Sequence, residues 1–235
     1  MNRKKILLVN IATNKYIRYV DRLYEEARKY FLSDHDVSFL LFTNHKDLPE
    51  FDDVKYSYIE HKDFPEPTLK RYNYFMQERE YIESFDYVFY SDVDMSFVAP
   101  VGDEVLGDLC LTKHMYVYDD PSGASWTYDR NKNSTAYVPH GKGVNYYAGG
   151  FNGGESKTFM KMSETISKNV LEDEKNGIVA KWHDESHLNC YAIDNPPSNI
   201  LSLAYCCPDW DRLDFEKIKP KIMALTKDHD EIRSL

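Results

Sequence analysis

Cysteine is scarce: four in 235 residues, none in CxxC spacing and two of them adjacent, Cys206 and Cys207. Such a set neither staples a secreted scaffold nor builds a thiolate metal site, so a reduced, cytoplasmic protein is expected. Long apolar runs are missing too. Ile6-Leu7-Leu8-Val9 gives way at once to polar residues, too short for a signal-peptide core or a membrane span, and it reads as a first strand. Excess positive charge is also lacking. Twenty-nine Lys and Arg face 39 Asp and Glu, a net charge of -10, and no basic stripe exists to displace counterions from a phosphate backbone. Nucleic acid is therefore not an expected partner. Neither the Walker phosphate loop nor the dinucleotide glycine fingerprint occurs. A phosphate-bearing ligand would have to be held through a metal.

What is present is globular and aromatic, with 42% hydrophobic residues, 19 Tyr, 12 Phe and 3 Trp. The length suits one substantial domain with a sizeable interior. Lys5 to Asn10 reads as a buried strand and Tyr16 to Phe31 as an amphipathic helix. Val37 to Phe42 and Val54 to Ile59 read as strands. A helix from about Leu69 to Ser84 leads into a strand ending at Asp92. This alternation predicts an α/β fold with a largely parallel, helix-covered sheet. Further on, Leu109 to Tyr118 is strand-like. Asp119 to Asn145 is a long polar loop that Trp126, Tyr128 and Tyr137 dock, and Glu155 to Asn169 is helical with a stop at Asn176-Gly177.

Tyr87-Val88-Phe89-Tyr90-Ser91-Asp92-Val93-Asp94 ends an apolar strand on two carboxylates one residue apart. At a strand end opening onto a crevice they can converge on one hard cation, Mn²⁺ or Mg²⁺ rather than zinc. A cation held over a diphosphate stabilises the charge on a departing phosphate, the chemistry that nucleotide-sugar transfer needs. The bland alternative is a solvated strand end.

Trp182-His183-Asp184-Glu185-Ser186-His187-Leu188-Asn189 crowds acids, imidazoles and an amide into one turn. If a helix opens there, Asp184 and Glu185 sit at its positive end, which favours their ionised forms; ordinary capping would explain them as well. His183 and His187 stand at the i, i+4 spacing of a zinc hydrolase, but the residue after the first His is Asp184 rather than Glu, and no third ligand announces itself. Tyr146 to Gly154 is glycine-rich, suited to a sharp β-turn with tight packing or to close backbone approach by a ligand.

Together, Asp92-Val93-Asp94-Met95, Trp126-Thr127-Tyr128, Ala136-Tyr137-Val138-Pro139, Tyr146-Tyr147-Ala148-Gly149-Gly150 and Trp182 to Asn189 resemble glycosyltransferase family 6, the family of the ABO transferases and α1,3-galactosyltransferase. The resemblance covers most of the chain and is strongest from Tyr87 to Leu201. It implies a GT-A fold in a single catalytic domain: about 1–94 a nucleotide-binding half, about 95–220 an acceptor-binding and catalytic half, and 221–235 a tail closing on the donor. It implies retaining α1,3 transfer from a UDP-sugar to a galactoside. Asp92 and Asp94 would hold Mn²⁺ on the diphosphate. Ile11, Ala12, Tyr16, Arg71, Val93, Lys227 and Arg233 would contact the donor, Asp184 would bind donor-sugar hydroxyls, and Glu185 would face the anomeric carbon. His114, Thr127 and Trp182 would contact the acceptor. Asp209 is placed there with less support, because Cys206-Cys207-Pro208-Asp209 does not align cleanly with the family's acidic acceptor residue.

The family's donor-sensing stretch reads Ala148-Gly149-Gly150 here. Gly150, lacking a Cβ, leaves room beside C2 of the sugar, which favours N-acetylgalactosamine over galactose without excluding the smaller sugar. A fucosyl-α1,2-galactoside is the expected acceptor. The chain begins almost directly at its first catalytic-domain strand and so resembles the soluble bacterial or phage branch. Some members of that branch carry asparagines in the metal motif; the aspartates here imply metal dependence.

Overall fold

A computed structural model describes residues 3–233. Strand β1 (Lys5–Ala12) sends Ile6 and Leu8 into one core layer and Leu7 and Val9 into the other, all fully buried. A strand apolar on both faces belongs in the middle of a parallel sheet. A 3₁₀ turn (Asn14–Tyr19) precedes helix α1 (Val20–Tyr30), so the helix expected from Tyr16 has a tighter first turn, as helix N-termini often do. Strands β2 (Asp36–Thr43) and β3 (Val54–Tyr58) add in parallel.

The helix expected from Leu69 to Ser84 is instead three short pieces, α2 (Glu66–Leu69), α3 (Arg71–Gln77) and α4 (Arg79–Ile82). Lys70 and Glu78 interrupt them in the bridge region, at ψ 15° and 23°. The first break lets Arg71 turn inward. Strand β4 (Tyr87–Ser91) pairs in parallel with β1 and delivers Asp92 at its end; β5 (Met95–Phe97) then leaves the main sheet. Strand β6 (Leu109–Lys113) stops short of the expected Tyr118, because His114 caps α5 (Met115–Asp119) by accepting the Tyr116 N–H on Nδ1 at 3.1 Å.

The glycine-rich segment is a nine-residue strand rather than a turn: β7 (Tyr147–Glu155), antiparallel to both β4 and β6. Its glycines admit neighbours. A Cβ on Gly153 would overlap the Phe89 ring and the Val88 carbonyl, and one on Gly154, at φ +145°, would overlap the Asp108 carbonyl. Helix α6 (Ser156–Lys175) ends as expected at Asn176-Gly177, with Gly177 at φ +67°. Helices α7 (His183–Asp194) and α8 (Phe215–Ile218), strands β8 (Asn199–Leu201), β9 (Cys207–Pro208) and β10 (Ile222–Ala224), and helix α9 (His229–Arg233) complete the chain.

The main sheet runs β3-β2-β1-β4-β7-β6-β8 and is parallel except at β7, the mixed, mostly parallel sheet between helices that a GT-A fold requires. One core lies on the α1 side, where the Phe89 and Phe151 rings stack at 5.7 Å; the other lies under α3, α6 and α7. A small β5-β10-β9 sheet lays the C-terminal segment beside Asp92 and Asp94, with Leu225 N–H donating to the Asp94 carbonyl at 3.2 Å. The loop between α5 and β7 is docked: Ser134 Oγ and Thr135 N–H donate to buried Asp173 at 2.6 and 2.8 Å, over a cluster of Tyr128, Val138 and Tyr146. Among the described residues no helix is long and apolar enough to cross a membrane.

Gly153→Ala is expected to destabilise the fold by about 1–3 kcal/mol, the cost of overpacking a filled core. A urea midpoint equal to wild type would show that β7 does not need the missing side chain.

Candidate active site

Open parallel sheets bind ligands beyond their strand C-termini, and here the ends of β1 and β4 border such a crevice. Ile11, Tyr16, Arg71, Asp92, Val93, Asp94, Lys227 and Arg233 line one pocket there. Gly149, Asp184, Glu185, His114 and Trp182 line an adjoining one, which shares Arg71 and Asp92 with the first. A third cleft shares Glu185 and Gly150 and adds Ala148. Ala12 is buried in the strand and lines none of the three.

Arg71 is the hub. Its side chain is 5% exposed, so its charge must be met inside the protein. One terminal nitrogen donates to Asp92 Oδ1 at 2.9 Å. The other donates to the Gly149 carbonyl at 2.6 Å and lies 3.0 Å from Asp184 Oδ2. The guanidinium also covers the Tyr90 ring at 4.0 Å, and Tyr90 OH donates to Asp92 Oδ1 at 2.6 Å. Asp184 Oδ2 is off the hydrogen-bond line to Arg71 and receives no hydrogen bond, although buried. A buried carboxylate oxygen bordering a cleft without a donor suits a ligand hydroxyl.

Glu185 is positioned from two sides. Helix α7 opens where sequence analysis expects it, with Ser186 Oγ accepting the Trp182 N–H at 2.9 Å. Asn189 then fastens that turn to β7: its amide oxygen accepts from Tyr147 N–H at 2.8 Å while its nitrogen donates to the Tyr147 and Glu185 carbonyls at 2.8 and 2.9 Å. Glu185 Oε2 accepts the Gly149 N–H at 3.0 Å. Burial pushes both Asp184 and Glu185 up to about 7, opposed at each by the Arg71 charge and, for Glu185, by the Gly149 hydrogen bond. Asp184 and Asp92 flank adjacent glycines, since a Cβ on Gly149 would lie 3.2 Å from Asp184 Oδ2 and one on Gly150 would lie 3.3 Å from Asp92 Oδ2.

His114 borders the same cleft as a neutral ring, because burial lowers it to about 4. Its Nδ1 accepts from the backbone, so Nε2 carries the proton and is a hydrogen-bond donor. Two expected acceptor contacts stand apart. Thr127 donates to Tyr146 OH at 3.3 Å and lines none of the three pockets. Asp209 turns its carboxylate onto Thr226, accepting its N–H at 2.8 Å and its hydroxyl, while the neighbouring Pro208 and Trp210 line the cleft. Sequence reasoning misses His61, Phe64 and Thr68 in the first pocket, and Tyr116, Cys206 and Trp210 beyond it. The Pro65 and Pro67 breakers were the available signal for the first set.

Asp92 and Asp94 fit a hard divalent cation. They offer only carboxylate oxygens, and two protein ligands leave positions for water and phosphate oxygens. The Lys227 ammonium already rests on Asp94 Oδ2, a stand-in cation at that carboxylate. The surrounding four acids, Asp92, Asp94, Asp184 and Glu185, outnumber the Arg71 and Lys227 cations in contact with them. The zinc alternative finds no such support. His187 is fully buried 3.8 Å from Asp173, His183 packs edge-on against Phe64 at 5.0 Å, and the described residues contain no group of three or more His, Cys, Asp or Glu able to hold a metal.

A crevice at the strand ends, with carboxylates set around a buried guanidinium, is built for group transfer from an activated donor. The sequence model of glycosyltransferase family 6 matches residues 2–234. The histo-blood group ABO system transferase 1 of Rattus norvegicus is 33% identical over 242 residues, covering 97% of this chain and 68% of the relative. The globoside alpha-1,3-N-acetylgalactosaminyltransferase 1 of Gallus gallus is 31% identical, covering 95% and 67%. The O-antigen biosynthesis glycosyltransferase WbnI of Escherichia coli is 28% identical, covering 85% and 86%. The chain belongs to glycosyltransferase family 6.

The raised acids give a pH signature with a definite sign. Glu185 titrates near 7 in the folded protein and near its ordinary value, about 4.3, when unfolded. Its ionisation therefore costs native stability progressively from about pH 4 to pH 7, and the full cost persists above that. Glu185→Gln is expected to stabilise the protein by on the order of 1–2 kcal/mol at pH 8, with the gain fading toward pH 5. Denaturation midpoints at the two pH values check this; an equal effect at both would remove Glu185 from the titrating set.

Proposed function

We propose that the protein transfers N-acetylgalactosamine from UDP-N-acetylgalactosamine to O3 of a galactose, in α linkage with retention, in a reaction that needs Mn²⁺. The observation that carries this reading is the placement of Glu185 and Asp92 around Gly149 and Gly150, with Glu185 Oε2 on the Gly149 N–H at 3.0 Å and Asp92 Oδ2 beside the open Cβ position of Gly150. A sugar lying over these two glycines has one carboxylate near C1 and the metal motif near its phosphate.

Breaking the bond from C1 to the diphosphate leaves positive charge on the sugar and negative charge on the nucleotide, so stabilisation must come with opposite signs at the two ends. Glu185, ionised above about pH 7, supplies the negative end and is held in aim by the Gly149 N–H and by Asn189. Asp184 Oδ2, paired in charge with Arg71 at 3.0 Å but receiving no hydrogen bond, accepts a donor-sugar hydroxyl. Arg71 keeps Asp92 and Asp184 in place and shields their repulsion. A divalent cation on Asp92 and Asp94 would supply the charge that stabilises the departing diphosphate. Lys227 and Arg233, on the segment clipped to β5, add positive charge beside the phosphates, and Tyr16 lines the nucleotide pocket. His114 donates from Nε2 to an acceptor hydroxyl, and Trp182, 42% exposed, gives the acceptor ring an apolar face. One similar protein is named a globoside alpha-1,3-N-acetylgalactosaminyltransferase, which supports the linkage and the sugar class.

The test is an assay of UDP-sugars against galactosides, fucosylated and plain, with Mn²⁺ and with chelator. Transfer from UDP-N-acetylgalactosamine to O3 with Mn²⁺ is expected, and efficient transfer in chelator would overturn the metal role. Asp94→Asn should lower turnover by about a hundredfold or more, the scale of losing electrostatic stabilisation at a leaving group. Gly150→Ala places a methyl group 3.1 Å from Cys206 Sγ and is expected to move the kcat/KM ratio toward UDP-galactose. An unchanged ratio would put the N-acetyl group elsewhere.

A further inference from the structure

Tyr146 is among the largest fully buried side chains, yet it carries a hydroxyl that an apolar interior would reject. Its ring is boxed in by other rings, with Tyr128 at 5.2 Å, His114 at 5.6 Å and Tyr116 at 6.0 Å between centres. The phenolic end meets polar groups. There Thr127 Oγ1, from the docked loop, donates to the hydroxyl at 3.3 Å. An oxygen that accepts this bond still has its own proton to give. The carboxylate facing it is Glu185: burial raises that acid most, and the Gly149 N–H and then the Tyr146 hydroxyl lower it. Burial raises Tyr146 itself far above the ordinary phenol value, so the proton stays on the oxygen. Backbone contacts hold the two residues together. His114 N–H donates to the Tyr146 carbonyl at 2.9 Å, and Asn189 bonds both to the backbone of the next residue, Tyr147, and to the Glu185 carbonyl.

Resting on the reading that Glu185 is the carboxylate facing C1 of the donor sugar, we propose that Tyr146 is a positioning residue for it, donating its phenolic hydrogen to the Glu185 carboxylate while Thr127 anchors the phenol from the loop. Two donors, the Gly149 N–H and the phenol, then fix the carboxylate more closely than one. A hydrogen bond to an ionised acid also favours the ionised form, which is the form that stabilises positive charge on a sugar. The other groups around Glu185 pull both ways. Arg71 favours ionisation and Asp92 and Asp184 oppose it, while His114, Tyr72 and the Cys206 thiol are kept neutral by burial. Thr127 thus serves the site through Tyr146 without lining the clefts. The loop, pinned at its far side to Asp173, is thereby coupled to the reacting centre.

The experiment reads Glu185 directly. Carboxyl infrared difference spectra against pH, with Glu185→Gln as the blank, give its protonation midpoint whether or not the protein turns over. Tyr146→Phe is expected to raise that midpoint by roughly one pH unit, and Thr127→Val by about half as much. Thr127→Val keeps the phenol and so carries the test should the Phe variant not fold. In transfer assays with Mn²⁺ and UDP-N-acetylgalactosamine, Tyr146→Phe should lower kcat roughly fivefold at about pH 7, the deficit narrowing toward about pH 9 as Glu185 ionises in both proteins, with the KM for the UDP-sugar unchanged. An unshifted midpoint overturns the proposal, as does a kcat lowered equally at every pH, the mark of a merely structural role. A shifted midpoint in a protein that transfers no sugar leaves Tyr146 acting on Glu185 and removes the transfer reading.

Discussion

The Arg71 guanidinium lies out of water between Asp92 and Asp184, under the Gly149 carbonyl and over the Tyr90 ring. A buried cation is costly unless its partners are close and well directed, and a buried acid that loses its cation costs more still. This one contact therefore fixes three otherwise unrelated pieces of chain relative to one another: the start of α3, the end of β4 and the first turn of α7. It also explains the break at Lys70, since a helix continuous from Leu69 would carry Arg71 along its surface instead of into the centre. Lysine would not substitute. It has one point charge where the planar fork reaches two carboxylates and a carbonyl at once.

Around that contact the fold trades stability for chemistry. Two acids are held in surroundings that disfavour their charged forms, and β7 gives up side chains at Gly149, Gly150, Gly153 and Gly154 so that the Asp184 and Asp92 carboxylates, the Phe89 ring and the Asp108 carbonyl can press against its backbone. The returns are local order: Asn189 uses its amide oxygen and nitrogen to bind α7 to β7, and the loop between α5 and β7 is fastened to Asp173.

Much of this was legible in the chain itself. The alternation of strands and helices, the carboxylates at the end of β4, and the acids opening α7 follow from side-chain periodicity and from the electrostatics of a helix terminus, both local properties. Resemblance to the family supplied Arg71, Lys227 and Arg233, whose neighbours are distant in sequence. The failures share a cause. The helix through Lys70, the strand past Lys113 and the turn reading of Tyr146 to Gly154 each obeyed local preference until a long-range contact overrode it: Arg71 drawn inward, His114 turned into a cap, Phe89 filling the space over Gly153. The partner of Asp209 was hidden for the same reason, since nothing near it in sequence marks Thr226 as its hydrogen-bond donor.

The chain holds three tryptophans, and their distribution gives the molecule an optical property. Trp182 and Trp210 border the two clefts that Glu185 lines, at equal exposure, while Trp126 hydrogen-bonds to the Asp120 carbonyl at 3.0 Å in the docked loop. None belongs to the buried core. Two of its three indoles therefore report on the clefts around Glu185, and occupancy there can be followed by ultraviolet emission without any dye or label.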